Sequence, residues 1–224
     1  MAVTASGNAV SPAAGSRGAA LVQEIFREVT RGEIEKVRAR LEAKPALIAV
    51  TATGAPKKYV NQSLLQIALR TAQFEIADML VAMGADVNFY DEANADGWAA
   101  PVINDAAAAA VIRARWSATQ SKTRSDAAFA TLLSILEAGA DINALDSRGG
   151  TVLGRAVFEV DDRTHGSDAN MVPETVADVT RVFAELFARG ADLNVIMPNR
   201  GRTILEAYRS RPVARYLVPA VQNS

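Results

Sequence analysis

Apolar residues recur every three or four positions along most of the chain, which is the spacing of one face of an α-helix. The first stripe occupies 21–29 and ends before Gly32, and a second occupies 34–41. A later stripe covers 176–187 and follows Pro173, a residue suited to the first turn of a helix. The pattern therefore predicts a series of short amphipathic helices.

Three of the predicted helices end in the same phrase. The segments are 79–88 (MLVAMGADVN), 134–143 (SILEAGADIN) and 185–194 (ELFARGADLN). Gly supplies a left-handed residue just past a helix, and the Asp and Asn that follow favour turns because their side chains bond nearby backbone groups. A second phrase places Ser or Thr and an apolar pair after a turn residue, at 62–68, 149–156 and 201–208. It predicts capped helix starts.

Together these phrases resemble the ankyrin repeat, whose period is about 33 residues. Segment 59–89 matches most closely, at the following positions: Ser63, Leu65 and Ala68 in the first helix, Ala77, Leu80 and Val81 in the second, and Gly84, Ala85, Asp86 and Asn88 at its end. The resemblance implies an all-α fold. It would be an ankyrin-repeat solenoid of stacked helix–turn–helix units with β-hairpin or loop fingers.

The resemblance also implies a domain organisation. We expect residues 1–16, rich in Ala, Ser and Gly, to form a disordered tail. A single ankyrin-repeat domain would cover 17–222, and its units are predicted at 17–50, 59–89, 97–143, 146–194 and 199–222. The family's Thr-Pro-Leu-His tetrapeptide is nowhere intact. Its His place is taken by Gln66, Asn104, Gly154 and Glu206.

Two units are longer than the others because each carries an insertion between its two helices. The insertion at 111–126 is basic, and the one at 158–174 is acidic. The charged residues concerned are Arg113, Arg115, Lys122 and Arg124 in the first, and Asp161, Asp162, Asp168 and Glu174 in the second. Because stacked repeats set equivalent loops side by side, we expect the insertions to pack against each other. A ligand site between them is the alternative.

Composition removes several function classes. The net charge is −1, so no global basic field attracts nucleic acid. Cysteine is absent, which excludes disulfides and thiolate chemistry, and the single histidine, His165, excludes a multi-histidine zinc site. No apolar run approaches a membrane span, and no Sec signal peptide is evident. We expect a cytoplasmic protein without nucleic-acid or membrane partners, with secretion by a non-Sec route left open.

Three segments superficially match chemical motifs. Segment 149–156 resembles a P-loop but places Arg155 and Ala156 where Lys and Ser or Thr are needed, and 92–97 resembles an EF-hand loop without its final Glu. Segment 161–168 gathers three Asp and His165, which suits a metal or acid–base site or simply an exposed polar loop. We expect no cofactor, no metal and no catalytic residue.

As a family, ankyrin proteins bind other macromolecules through their fingers and inner helices, and few are enzymes. The resemblance therefore implies partner-binding positions at Gln62, Arg70, Tyr90, Trp98, Arg148, Arg155, Glu159, Arg200 and Arg202. Tyr90 and Trp98 are aromatic anchors of the kind found at interfaces, although Trp98 also suits a role filling a gap in the irregular third unit.

Three function hypotheses follow. The first is a non-catalytic module that binds an unknown protein partner through the concave surface of fingers and inner helices, as a monomer. The second is a bacterial secreted effector or an immunity-like inhibitor built on ankyrin repeats, to which the alanine-rich composition and the Ser/Ala/Gly-rich start point. The third is an enzyme or metal-binding protein that uses the charged insertions.

Overall fold

A computed structural model describes residues 12–53, 59–91, 97–167, 169, 171–198 and 200–217. This part of the chain is mostly α-helical, so the expected all-α class is confirmed. Its helices and strands are α1 Pro12–Arg31, α2 Ile34–Ala43, α3 Leu64–Arg70, α4 Phe74–Ala82, α5 Val102–Ile112, α6 Lys122–Glu137, α7 Val152–Thr164, α8 Pro173–Ala188, β1 Ile196–Met197, β2 Arg202–Thr203 and α9 Ile204–Tyr208. Short 3₁₀ helices cover Pro45–Ala49 and Pro212–Tyr216.

The predicted capped helix starts are confirmed. Ser63 and Thr203 each form a capping box with the Gln or Glu three residues later, at the starts of α3 and α9. At the start of α7 the side chain of Thr151 accepts a hydrogen bond from the backbone N–H of Gly154. Each cap satisfies a backbone donor that has no partner within the helix, and so fixes where the helix begins.

The helices pack in two adjacent rows. In one row α1 contacts α3, α3 contacts α5, and α5 contacts α7. In the other row α2 contacts α4, and α4 contacts α6. Neighbours in sequence, such as α3 with α4 and α5 with α6, join the rows in pairs. This arrangement gives most of the helices two or more neighbours against which to bury apolar side chains.

Helix α5 lies at the centre of the core. Each of its residues from 102 to 111 is buried, and five consecutive alanines occupy 106–110. The helix packs against α3, α6, α7 and α8 at once. Small side chains allow this because they let neighbouring backbones approach from every side. The expectation that the alanine run is helical is confirmed, and the helix extends two residues into the predicted insertion before ending at Ile112.

The repeated Gly-Ala-Asp-x-Asn phrase forms the same turn in all three copies, and the first two copies each bond to the next one. Its glycine has a positive φ of 89°, 91° and 86° in the three copies, which confirms the predicted left-handed helix end. Its Asp side chain accepts from the N–H of the Asn two residues later. Its Asn side chain reaches the next copy, as Asn88 does with Gly139 and Asp141 at 3.0 and 2.8 Å. Asn143 repeats these contacts with Gly190 and Asp192, both at 3.0 Å.

The ends of the chain differ in part from the sequence prediction. Helix α1 begins at Pro12, so residues 12–16 of the expected disordered tail are helical, and 1–11 lie outside the described residues. Of the expected fingers, the described part shows the two-stranded hairpin β1–β2 and two isolated bridges, Thr51 with Ser63 and Tyr90 with Pro101.

The insertions are shorter as loops than the sequence suggested. The first leaves 113–121 between α5 and α6. In the second, α7 continues to Thr164, so its first seven residues are helical instead of forming a structureless loop. Pro173 occupies the first turn of α8 as predicted.

The expectation that basic residues of the first insertion pair with acidic residues of the second is wrong for Arg115 and Asp161. Arg115 binds Asp178 on α8 at 2.9 Å, beyond the acidic insertion. Asp161 binds Arg211 near the described C-terminal end at 2.7 Å. The two insertions meet instead through Arg163, whose guanidinium lies 5.6 Å from the ring centre of Trp116. Spacing placed the insertions side by side, but Arg115 and Asp161 each pair with a residue on another element.

In the described ranges, no helix combines the length and apolarity that crossing a bilayer requires.

Candidate functional site

A cleft of about 390 Å³ opens between α7, the 146–150 turn, Trp98 and the β1–β2 hairpin. We call it the arginine cleft. Its lining residues are Trp98, Asp146, Arg148, Gly150, Thr151, Gly154, Arg155, Phe158, Met197, Pro198, Arg200 and Tyr208. Four of the nine residues expected to bind a partner, from three separate predicted units, therefore line one cavity: Trp98, Arg148, Arg155 and Arg200.

Aromatic rings hold the guanidinium groups of the cleft in place. The Cζ atom of Arg155 lies 5.6 Å from the ring centre of Trp98 and 5.7 Å from that of Phe158. Arg200 lies 4.9 Å from the ring centre of Tyr208. These are cation–π distances, and the arrangement restricts the side-chain rotamers of both arginines. Phe158 itself stays 49% exposed and offers an apolar surface at the mouth of the cleft.

The one carboxylate among the described lining residues accepts its hydrogen bonds from the protein itself. Asp146 accepts from the backbone N–H groups of Arg148 and Gly150, both at 2.8 Å, and from the indole N–H of Trp98 at 3.2 Å. In a P-loop such amides would bind phosphate. Here an internal carboxylate already occupies them, which argues against the P-loop interpretation of 149–156.

Gly149 allows the turn and the hairpin to approach each other. Its φ is +73°, and a Cβ atom at this position would lie 2.5 Å from Cγ of Pro198. A side chain would therefore strain the backbone and displace the hairpin that carries Met197 and Arg200. The conformational freedom of glycine sets the width of the cleft.

The cleft has an excess of positive charge. Among the described residues, three arginines and one aspartate line it, and residues 200–217 carry five arginines and one glutamate. Within the described chain, no carboxylate forms an ion pair with Arg200, and the guanidinium group of Arg200 contacts the ring of Tyr208. Arg202 lies next to the cleft, in a shallow depression that it shares with Arg200 and Ala207.

A network of buried charges underlies Trp98. Arg70 binds Asp105 at 2.9 Å, approaches Asp91 at 3.8 Å, and lies 5.8 Å from the ring centre of Trp98. Burial raises the pKa of Asp105 and of Asp91, and the charge of Arg70 opposes the rise. Arg70, expected to bind a partner, therefore serves the interior and fixes Trp98 from below.

Two of the expected binding residues are not accessible. Gln62 is completely buried directly before α3, and its backbone carbonyl accepts a hydrogen bond from the backbone N–H of Ala52. Glu159 is 6% exposed and binds Arg155 at 2.6 Å, one turn earlier on α7. The expectation that these side chains face a partner is wrong, although Glu159 positions an arginine that lines the cleft.

Sequence reasoning missed an exposed apolar row, defined here as Tyr90, Leu145 and Ile196. These side chains are 45%, 47% and 61% exposed. Each lies two residues after the Asn of a Gly-Ala-Asp-x-Asn phrase, and so at the same place in its copy. Only Tyr90 was among the expected binding residues. The signal was present in the sequence as an apolar residue at the same offset in each copy.

The charged cluster of the second insertion does not assemble into a metal site in the described structure. His165 is exposed and ends α7 in a left-handed conformation, while Asp161 pairs with Arg211. Among the described residues no group of three His, Asp or Glu side chains is placed to hold a metal ion. Asp168 and residues 92–96 of the EF-hand-like segment lie outside the described residues.

No family model matches the chain, and a search of curated proteins returned no significant match.

Proposed function

We propose that the chain is an ankyrin-type solenoid that acts as a non-catalytic protein-binding module. The repeated geometry of the Gly-Ala-Asp-x-Asn phrase supports this proposal, because each copy ends a helix and forms the same turn, and the first two copies each bond to the next one. The two rows of helices support it as well, since a stack of helix pairs places equivalent turns along one edge.

The observation that carries the functional proposal is the convergence of Trp98, Arg148, Arg155 and Arg200 on the arginine cleft. Tryptophan, tyrosine and arginine are enriched among the residues that dominate the binding energy of protein interfaces. Tryptophan and tyrosine bury a large area at a low cost in side-chain entropy, and arginine offers a planar set of hydrogen-bond donors. Ring contacts already order two of these arginines, so little rotamer entropy remains to be lost on binding.

The polar groups of the cleft suit binding better than catalysis. Thr151, which carries one of the two hydroxyls of the lining, uses it to cap α7. The Asp146 carboxylate accepts hydrogen bonds from three N–H groups of the protein, so its oxygens are already engaged.

Affinity capture from the native cell lysate with quantitative mass spectrometry tests this proposal. The bait would be compared with Arg200→Glu and Phe158→Ser, two changes at the mouth of the cleft. Arg124→Glu on α6 is the control, because it makes the same charge change at an exposed position outside the cleft. We expect a partner that the wild type and control capture equally and that both cleft variants lose, at unchanged thermal stability. A set of captured proteins that is the same for all four baits overturns the proposal.

A further inference from the structure

We infer that the partner presents to the arginine cleft a short acidic segment in which carboxylates alternate with aromatic or aliphatic side chains. The inference rests on the proposed function and specifies the chemistry of its partner. The charge, the geometry and the apolar surface of the cleft support it.

The charge of the arginine cleft favours an acidic partner. The whole chain has a net charge of −1, yet three arginines line the cleft against one carboxylate among the described lining residues, Asp146, whose oxygens already accept from internal N–H groups. Glu159 pairs with Arg155, so the described charges at the cleft sum to a small positive excess on a chain that is slightly negative as a whole. Such local complementarity selects and steers an acidic partner.

The geometry of the cleft arginines favours carboxylate groups on the partner. A guanidinium group is planar and binds a carboxylate through two parallel N–H bonds, and stacking on a ring fixes the plane of that fork. Arg200 lies over Tyr208 with no carboxylate partner among the described residues. Arg155 lies by Trp98 and Phe158, where Glu159 holds it from the buried side. The cleft is thus ordered before it binds.

The apolar surface of the cleft favours an acidic peptide over a simple anion, because only the peptide has side chains that can contact it. Phe158 is 49% exposed beside Arg155, and Met197 lines the opposite wall. An extended peptide places successive side chains on opposite sides, so residues alternating in chemistry put carboxylates and apolar groups on separate faces. Carboxylates reaching Arg200 and Arg148 leave neighbouring apolar side chains to contact Phe158 and Met197.

A polynucleotide fits the cleft less well. The amides of the 146–150 turn that phosphate would use are occupied by Asp146. Acidic groups also stand among the arginines, with Glu159 bound to Arg155 and Asp161 bound to Arg211. A phosphate backbone requires a continuous basic track, which these carboxylates interrupt.

Selection from a random display library of twelve-residue peptides tests the inference without assuming a sequence. The full-length wild type, Arg200→Glu and Arg124→Glu would be used as baits, with thermal unfolding confirming that each is folded. We expect the wild type and Arg124→Glu to enrich peptides rich in Asp or Glu with interspersed Phe, Leu or Tyr. A synthetic copy of the leading peptide should bind Arg200→Glu about tenfold more weakly or worse, by fluorescence anisotropy. Arg200→Gln, which removes the charge without reversing it, should give a smaller loss.

The inference is overturned if no peptide is enriched, if the enriched peptides have no acidic excess, or if Arg200→Glu selects the same peptides as the wild type. It is also overturned if inorganic phosphate or a twelve-nucleotide single-stranded DNA competes for the cleft more strongly than the peptide. Lysate capture separates this failure from that of the proposed function. A cleft-dependent partner that lacks an acidic segment leaves the binding module intact and refutes only the partner chemistry.

Discussion

At the scale of single residues, Asp178 makes a two-bond charged contact between distant parts of the chain. It is 3% exposed and accepts from Nε and Nη2 of Arg115, both at 2.9 Å, and from the hydroxyl of Ser125 at 2.7 Å. Burial alone would raise the pKa of Asp178, but these hydrogen bonds outweigh it and lower the pKa to about 2. The loop after α5 is therefore fastened to α8 by an ionised carboxylate.

Replacing Asp178 with alanine should destabilise the fold by about 3 kcal/mol, because Arg115 and Ser125 lose their common partner in a partly buried site. Urea denaturation followed by circular dichroism would measure the change. Asp162→Ala is the control, since Asp162 is exposed on α7 and should change stability by less than about 0.5 kcal/mol. Equal losses for the two variants would show that the Asp178 network contributes nothing specific.

The lowered pKa of Asp178 also predicts a pH dependence. Its stabilisation is fully present above the usual value of 3.8 and is lost as the pH falls from there towards about 2. The burial-raised pKa values of Asp91 and Asp105 act in the opposite sense, because there the native state binds more protons. Wild type and Asp178→Asn should therefore differ by about 2 kcal/mol at pH 5, and by progressively less towards pH 2. Denaturation across this range measures the difference, and a constant gap contradicts the prediction.

Residue-scale prediction from the sequence was partly successful. Trp98, Arg148, Arg155 and Arg200 were expected on one binding surface and do line one cleft. Gln62 was misplaced because a repeat pattern gives the direction of a side chain but not how deeply neighbouring segments cover it.

Contacts across long sequence separations were also beyond prediction. Arg115 and Asp178 are 63 residues apart, and neither spacing nor local charge relates them.

At the scale of elements, the Gly-Ala-Asp-x-Asn phrase recurs because each polar member has a separate structural task. Asp forms the turn, and Asn crosses to the next copy through two hydrogen bonds. This explains why the residues within the phrase keep the same spacing in every copy. The helices before it vary in length, from the nine residues of α4 to the sixteen of α6 and α8.

Asn143→Ala should therefore destabilise the fold by about 1–2 kcal/mol, because it removes the two bonds to Gly190 and Asp192. Asn194→Ala is a matched control. Asn194 stands at the same place in the last phrase, and among the described residues its side chain bonds to no further copy. Thermal unfolding should separate the two variants. If both shift the midpoint equally, the side-chain bonds between copies are not stabilising.

The alanines of α5 give a prediction of a different kind. Ala107→Leu adds three heavy atoms to a completely buried position between packed helices, and should cost about 1–3 kcal/mol through overpacking. Ala130→Leu, at an exposed position within α6, should be near neutral because the new side chain meets solvent. Chemical denaturation would measure both free energies. A stabilised Ala107→Leu variant would mean that α5 leaves an unfilled space beside it.

Element types were easier to predict than element contacts. Ser63, Thr151 and Thr203 mark helix starts through local hydrogen bonds that are readable in sequence. The length of α7 was not readable, because the polar residues of 158–164 suggested a loop. They are helical because one side of α7 supplies the buried Val157 and Val160.

At the scale of the whole molecule, stability should vary from the middle of the stack to its ends. Helix α5 packs against four other helices, whereas the 3₁₀ helix Pro212–Tyr216 closes one end against α7 and α8. A terminal unit loses fewer contacts when it opens, so its opening costs less free energy than global unfolding. We expect the amides of α5 to exchange slowest, and those of α9 and 212–216 to exchange much faster. Hydrogen exchange with mass spectrometry measures the profile, and uniform protection contradicts it.

The arginine cleft lies near this end, because one of its walls is formed by the β1–β2 hairpin and by Tyr208, the last residue of α9. A ligand that bridges Arg148 and Arg200 joins that wall to the turn that precedes α7, and so adds its binding free energy to the cost of opening. Saturation with the selected acidic peptide should therefore slow amide exchange over 196–208 and leave α1 and α2 unchanged. The same peptide should give no protection to Arg200→Glu. Slower exchange confined to α1 and α2 would place the binding surface at the opposite end of the molecule.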